Sequence, residues 1–171
     1  VVLGYLYWMR NKPMLPKLSN LLIGLIGLIS LSLCWEALLI LHVRPELLLF
    51  MLILIWLADT LAYFGGRLWG KNKLAVTISP NKTWEGLACG VIGSVVAGAI
   101  GQWFWITPQQ LNFWFLLTIV ITVLVSVAGD LFESLLKREE GLKDSGQLLP
   151  GHGGMLDRID SLIAAAPVFT Y

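Results

Sequence analysis

Acidic side chains are concentrated near the end of this chain, where seven of its 11 Asp and Glu residues fall between residues 130 and 160. Asp157 and Asp160 are three residues apart, so on a helix their side chains are neighbours. Asp130 lies at the end of a long apolar segment, near membrane depth, where an unpaired carboxylate costs several kcal/mol. Three converging carboxylates favour a cation, and an all-oxygen set suits Mg²⁺, with Mn²⁺ as the alternative.

Two other interpretations of these acids remain open. Asp157 and Asp160 are also suited to capping a helix and pairing with Arg158. Asp130 alone is equally typical of an acid on an ion pathway.

A basic stretch occupies residues 65–86, with four Lys or Arg residues against one acid. Ser79, Pro80 and Asn81 form a turn signature, and Thr83 is positioned to cap a following helix. Free N–H groups at a helix N-terminus and nearby lysines favour an anion. The candidate phosphate-binding residues here are Ser79, Asn81, Lys82 and Thr83. Basic loops beside membrane spans are common, so the composition of this stretch alone does not distinguish the two explanations.

The acidic stretch also contains groups suited to phosphates. His152 lies in a glycine-rich turn, where glycines allow close approach of the backbone to a ligand. It is suited to contacting a phosphate or acting as an acid, and equally to local hydrogen bonding. The further candidates for substrate binding are Lys137, Arg138, His152, Gly153, Gly154 and Arg158. Together the two stretches indicate phosphoryl or nucleotidyl transfer on a lipid.

The composition of the chain indicates the environment of these residues. Of the 171 residues, 57% are hydrophobic and 13% are charged, and the formal net charge is +1. A soluble domain has about 25% charged residues, so this chain is expected in a lipid bilayer. Disorder, a coiled coil and a nucleic-acid binder driven by charge are excluded. Cys34 and Cys89 lie in apolar runs and are expected to be free.

Four apolar segments approach or exceed the ~20 residues that cross a bilayer as a helix. They are residues 18–41, 46–64, 87–106 and 111–131, and residues 159–171 form a partial fifth. The predicted fold is therefore all-α, a polytopic transmembrane helix bundle with two polar loops on one side. Eleven of the 12 basic residues lie on that side, which the positive-inside rule assigns to the cytoplasm. Small residues four apart in the third span favour either packing within the chain or a homodimer.

The polar stretches resemble a known family. The run from Ser134 to Asp160, with Leu149-Pro150-Gly151-His152-Gly153-Gly154-Met155-Leu156-Asp157-Arg158-Ile159-Asp160 at its end, is similar to the signature of the phosphatidate cytidylyltransferases, also called CDP-diacylglycerol synthases. Residues 79–86 and 59–71 look like two upstream motifs of that family. The resemblance extends from about the second span to the last residue, so we expect a single integral-membrane catalytic domain over 1–171, the C-terminal portion of a longer chain.

This resemblance implies the reaction of CTP with phosphatidate to give CDP-diacylglycerol and pyrophosphate, requiring Mg²⁺. It implies that Asp130, Asp157 and Asp160 hold the metal, and the signature also includes Lys143 and Asp144, which we expect in catalysis. Lys82, Lys137, Arg138 and Lys143 would offset phosphate charge. Asp59, inside the second span, is expected to support the site or form a structural ion pair.

The expected location is a bacterial inner membrane with the site facing the cytoplasm. The partners are CTP, phosphatidate and the bilayer, with no nucleic acid. Alternatives are another CTP-using lipid-phosphate cytidylyltransferase, a lipid kinase or an ion-coupled transporter.

Overall fold

The computed structural model describes residues 20–106, 111–139, 141–142, 145–146 and 154–171. The side chains of Asn20, Trp105, Glu139 and Arg158 lie outside this description. Within it the chain forms five α-helices, which are α1 (Asn20–His42), α2 (Pro45–Trp69), α3 (Trp84–Gly101), α4 (Phe113–Glu139) and α5 (Leu156–Thr170). A two-stranded antiparallel hairpin, β1 (Lys73–Ala75) and β2 (Ser79–Thr83), joins α2 to α3, and a π-helical turn (Gln102–Ile106) follows α3.

Among the described residues, four helices are long and apolar enough to cross a membrane. These spans are Leu21–His42, Pro45–Trp69, Trp84–Phe104 and Phe113–Arg138, and Ile159–Thr170 is a shorter apolar helix. Large apolar side chains cover their outer surfaces, for example Leu21, Trp35 and Trp56, each more than 60% exposed. Such a surface is favourable in a bilayer. The predicted all-α membrane bundle is confirmed, and this is an integral membrane protein.

Helices α2 and α3 pack with their backbones in close approach. A Cβ added to Gly86 would lie 2.5 Å from the carbonyl oxygen of Ala62, and one added to Gly90 would lie 2.9 Å from that of Ala58. Further along α3, Gly101 packs against the ring of Phe50. These small residues of the third span therefore serve packing within the chain. The homodimer stays a prediction.

The α2–α3 hairpin differs from the expected loop. Ser79, Pro80 and Asn81 were expected to form a turn, and this prediction is wrong because all three lie in β2. The turn precedes them, at residues 76–78. Pro80 is tolerated because a two-stranded sheet leaves each strand an edge whose N–H groups need no strand partner. Thr83 caps α3 as predicted, since its Oγ1 accepts a hydrogen bond from Gly86 N at 3.1 Å.

Helix α4 is longer than the apolar segment that predicted it. That segment ended at residue 131, but the helix continues to Glu139. Glu133, Lys137 and Arg138 were assigned to a polar loop, and this is wrong because they belong to the last turns of α4. Charged residues continue a helix readily when their side chains pair along one face. The main apolar core centres on Met51, Ile119 and Ala165.

Replacing Gly86 with Ala is expected to destabilise the bundle by about 1–3 kcal/mol, because the new methyl group overlaps the Ala62 carbonyl of α2. Gly24→Ala in α1 is the matched control, since a Cβ there meets nothing within 4 Å and Ala favours helix by up to ~1 kcal/mol. Thermal unfolding in detergent measures both. Equal melting temperatures for the two variants would contradict the close approach of α2 and α3.

Candidate active site

One face of α4 carries a stripe of polar residues at its C-terminal end. Asp130, Glu133, Ser134 and Lys137 are spaced by three and four residues, so they share one side of the helix. Asp130 lies nine residues before the helix ends, which is ~14 Å along its axis. The α4 stripe therefore extends from the polar end of the bundle into the membrane-spanning part.

Lys82 of β2 forms an ion pair with Asp130. The distance from Lys82 Nζ to Asp130 Oδ2 is 2.5 Å, and both side chains are about three-quarters buried. The other oxygen, Asp130 Oδ1, accepts a hydrogen bond from Ser134 Oγ at 3.3 Å. This ion pair joins the hairpin to α4. It also pairs a predicted metal ligand, Asp130, with a predicted phosphate-binding residue, Lys82.

Asp157, in the first turn of α5, is surrounded by donors. Its Oδ1 lies 2.6 Å from Lys137 Nζ, and its Oδ2 accepts hydrogen bonds from Gly154 N at 2.8 Å and Ser145 N at 3.0 Å. Burial opposes ionisation of this carboxyl, but the Lys137 ammonium and the two backbone N–H groups outweigh it and hold the pKa of Asp157 well below its usual range. Asp157 is therefore ionised at every physiological pH.

Gly154 packs against residues 145–146 and leaves no room for a side chain. A Cβ at this position would overlap the Ser145 side chain and lie 2.8 Å from Gly146 N. The absence of a side chain allows residues 145–146 to pass close to Gly154, so that Ser145 N donates to Asp157. Of the predicted glycine-rich turn, Gly154 is the described member, whereas His152 and Gly153 lie outside the described residues.

Two cavities meet at Asp59 and Asp130. The hairpin cavity, about 270 Å³, is lined by Lys82, Ser79, Asn81 and Thr83 together with residues of α2 and α4. The acidic cavity, about 520 Å³, is lined by Lys137, Asp157, Asp160 and residues of α2 and α5. Asp59 and Asp130 line both. The structure thus brings together most of the described site residues that the sequence predicted, with Asp59 between the two groups.

Carboxylates outnumber ammonium groups around these cavities. Five carboxyl groups (Asp59, Asp130, Glu133, Asp157 and Asp160) and two lysines (Lys82 and Lys137) lie in this region, so carboxyl groups exceed ammonium groups by three among the described side chains. Asp160 Oδ1 accepts hydrogen bonds only from its neighbour Ser161 among the described residues. Such a cluster in a partly desolvated region favours either a bound cation or protonation of some of its carboxyl groups.

The donor set has the chemistry that Mg²⁺ requires, because every acidic ligand is a carboxylate oxygen. No three His, Cys, Asp or Glu side chains within the described part of the chain lie close enough to hold an ion. Asp130 and Asp157 are paired with Lys82 and Lys137 instead. The residues therefore suit a divalent cation in chemical type, but in this arrangement two of the three predicted ligands are paired with lysines, and the Mg²⁺ site stays a prediction.

Arg138 does not join the site. Its Nη1 donates a hydrogen bond to the carbonyl oxygen of Leu142 at 3.1 Å, and it lines neither cavity. Lys143 and Asp144 lie outside the described residues, as does the side chain of Arg158. Their predicted roles stay predictions.

Glu133 is the site residue that sequence reasoning did not single out. It is 8% exposed, and Lys137 Nζ lies 3.5 Å from its Oε1. Neither of its carboxylate oxygens accepts a hydrogen bond among the described residues. Glu133 is three residues after Asp130 and four before Lys137, a spacing that places the three side chains on one side of a helix. The spacing could have indicated Glu133 only if the helix had been predicted to continue beyond residue 131.

The fold and site define a class, an integral membrane protein whose helices enclose a polar, carboxylate-rich site. The model of a cytidylyltransferase family matches residues 2–171, and the chain belongs to this family. It is 52% identical over 128 residues to a phosphatidate cytidylyltransferase of Haemophilus influenzae, covering 73% of this chain and 44% of that protein. A phosphatidate cytidylyltransferase of Pseudomonas aeruginosa is 46% identical over 146 residues, covering 84% and 54%. The chain thus spans about half the length of the curated relatives it matches.

The low pKa of Asp157 predicts how stability depends on pH. A carboxyl whose pKa is lower in the folded state stabilises above its unfolded pKa of about 3.9, and that contribution is lost as pH falls towards the folded value. We therefore expect the difference in melting temperature between the unaltered protein and Asp157→Asn, measured in EDTA, to be constant from pH 5 to 8 and to shrink below about pH 4. A difference that shrinks between pH 5 and 7 would contradict the contacts of Asp157.

Proposed function

We propose that the protein to which this chain belongs is a CTP:phosphatidate cytidylyltransferase, which makes CDP-diacylglycerol and pyrophosphate for phospholipid synthesis. The observation that carries this proposal is the pair of cavities that share Asp59 and Asp130. One cavity offers an ammonium group and polar side chains suited to phosphates, and the other offers carboxylates suited to a cation. The names of the relatives support the choice of CTP and phosphatidate as substrates.

In the proposed reaction a phosphate oxygen of phosphatidate attacks the α-phosphorus of CTP. The bond between the α-phosphorus and the oxygen bridging to the β-phosphorus breaks, and pyrophosphate leaves with that oxygen and its electron pair. The attacking phosphate is already an anion, so no strong general base is needed. The main barrier is repulsion between two polyanions, which the protein lowers by placing positive charge between them.

Asp130, Asp157 and Asp160 are the proposed ligands of Mg²⁺, with Mn²⁺ as the alternative. When bound, the ion would neutralise phosphate charge and stabilise the pyrophosphate leaving group. Asp59 borders both cavities and supports these ligands through the negative charge it adds at their junction.

Lys82 and Lys137 are proposed to exchange partners when substrates bind. Each is paired with a carboxylate in this structure, Lys82 with Asp130 and Lys137 with Asp157. Once these carboxylates bind a cation, the two ammonium groups remain beside the cavities and bind phosphate oxygens of the substrates. Ser79, Asn81 and Thr83 line the same wall as Lys82 and orient the nucleotide.

The proposed location is a bacterial inner membrane, with the hairpin and residues 139–156 on the cytoplasmic side. The supporting observation is the distribution of basic residues, 11 of 12 of which lie on that side of the spans. CTP would then reach the hairpin cavity from the cytoplasm, and the lipid would arrive within the bilayer.

Asp130→Asn, Asp157→Asn and Asp160→Asn are each expected to lower kcat for CDP-diacylglycerol formation by at least ~100-fold, because each removes a carboxylate charge from the cation site. The assay follows labelled CTP and phosphatidate in membranes containing the full-length protein. Glu46→Gln, in the first turn of α2 and outside both cavities, is the matched control and should retain full activity.

The same assay separates the alternatives. Transfer of cytidylate to an isoprenoid or ether lipid phosphate, but not to phosphatidate, would redirect the proposal to another lipid-phosphate cytidylyltransferase. Transfer of the terminal phosphate of CTP to a lipid alcohol would indicate a kinase. Full activity of any of the three Asp→Asn variants would overturn the assignment of that carboxylate.

A further inference from the structure

A second, apolar groove lies beside the acidic cavity, and we propose that it binds one acyl chain of the lipid phosphate substrate. This inference rests on the proposed function and adds to it a binding site for the apolar part of the lipid. The groove is formed by α1, α4 and α5, and its volume is about 200 Å³.

The walls of this acyl groove are almost entirely hydrocarbon. Ile26 and Leu31 line it from α1, Phe132 and Leu136 from α4, and Ile163 from α5. All three helices belong to the membrane-spanning part of the protein or lie beside it. An acyl chain gains little by moving from lipid to such a surface, so the groove contributes mainly by orienting the chain.

The acyl groove joins the acidic cavity at Asp160, which lines both. Glu133, part of the charged α4 stripe, borders the groove on the same side. A molecule that fills the groove and continues past Asp160 must therefore be apolar at one end and able to meet a cation site at the other. A lipid phosphate has this distribution of polarity, whereas an entirely apolar helix of a partner would leave the Asp160 carboxylate without a counter-charge.

The α1 side of the acyl groove is open. Gly27 lies in this wall, and a Cβ added to it would meet nothing within 4 Å. Ile26 and Leu31 are 40% and 52% exposed. A lipid in the surrounding bilayer therefore reaches the groove from the side without passing through water, and a larger residue at position 27 would project into the groove without straining the helix.

The test compares Gly27→Phe with Gly24→Phe in the full-length protein reconstituted in nanodiscs. Both glycines lie on α1 with open space around them, but only Gly27 lines the acyl groove. We expect Gly27→Phe to raise KM for dioleoyl phosphatidate roughly tenfold, because the position in which the groove orients the chain is blocked, with KM for CTP unchanged. Dihexanoyl phosphatidate, with short chains, should be affected much less, and Gly24→Phe should match the unaltered protein.

A second measurement does not depend on activity. Phosphatidate carrying a photoreactive group in its acyl chain should label peptides of α1 and α5 in the unaltered protein, and Gly27→Phe should reduce that labelling. Equal KM values for the two variants, or labelling confined to helices other than α1, α4 and α5, would overturn the acyl groove. A change in oligomeric state on Gly27→Phe with KM unaltered would also overturn it and assign the groove to a subunit interface. Absence of CDP-diacylglycerol synthesis in the unaltered protein would instead contradict the proposed function.

Discussion

The ion pair between Lys82 and Asp130 joins the two halves of this site. Asp130 lies well inside α4, where a carboxylate without a partner is costly, and the partner that the chain supplies comes from a hairpin at the end of the bundle. This contact fixes β2 against α4, and the two cavities meet along it. Removing either charge would leave the other partly buried and uncompensated, so the shape of the site and its electrostatics depend on the same contact.

The remaining structure supports that contact from both sides. The close approach of the α2 and α3 backbones, at Gly86 and Gly90, fixes the two helix ends that the hairpin connects. On the other side, Asp157 holds residues 145 and 154 through their backbone N–H groups and holds α4 through Lys137. Polar contacts are thus concentrated at one end of a bundle whose outer surface is apolar.

Much of the fold followed from composition, because a bilayer requires long apolar helices and leaves few alternatives. The ends of those helices were less predictable. Helix α4 continues beyond its apolar segment because charged residues pair along its face. A helix that ends with the apolar segment does not place Glu133 on the same side as Asp130 and Lys137. Pro80 indicated a turn from local preference, whereas pairing with β1 placed it in a strand. The junction of the two cavities at Asp59 required the packing of α2 against α4, which residue spacing within one segment does not specify.

In the proposed reaction, the depth of Asp130 determines which substrate must move. This carboxylate lies ~14 Å along α4 from the end of the helix, below the level at which a soluble nucleotide first meets the protein. Raising a 16-carbon acyl chain into water would cost about 12 kcal/mol, at ~0.8 kcal/mol for each methylene. A nucleotide that descends a polar cleft incurs no such hydrophobic cost. In the proposed reaction, the recessed site would therefore let the lipid phosphate stay in the bilayer throughout the cycle, so that its supply would be governed by its mole fraction there and by lateral diffusion.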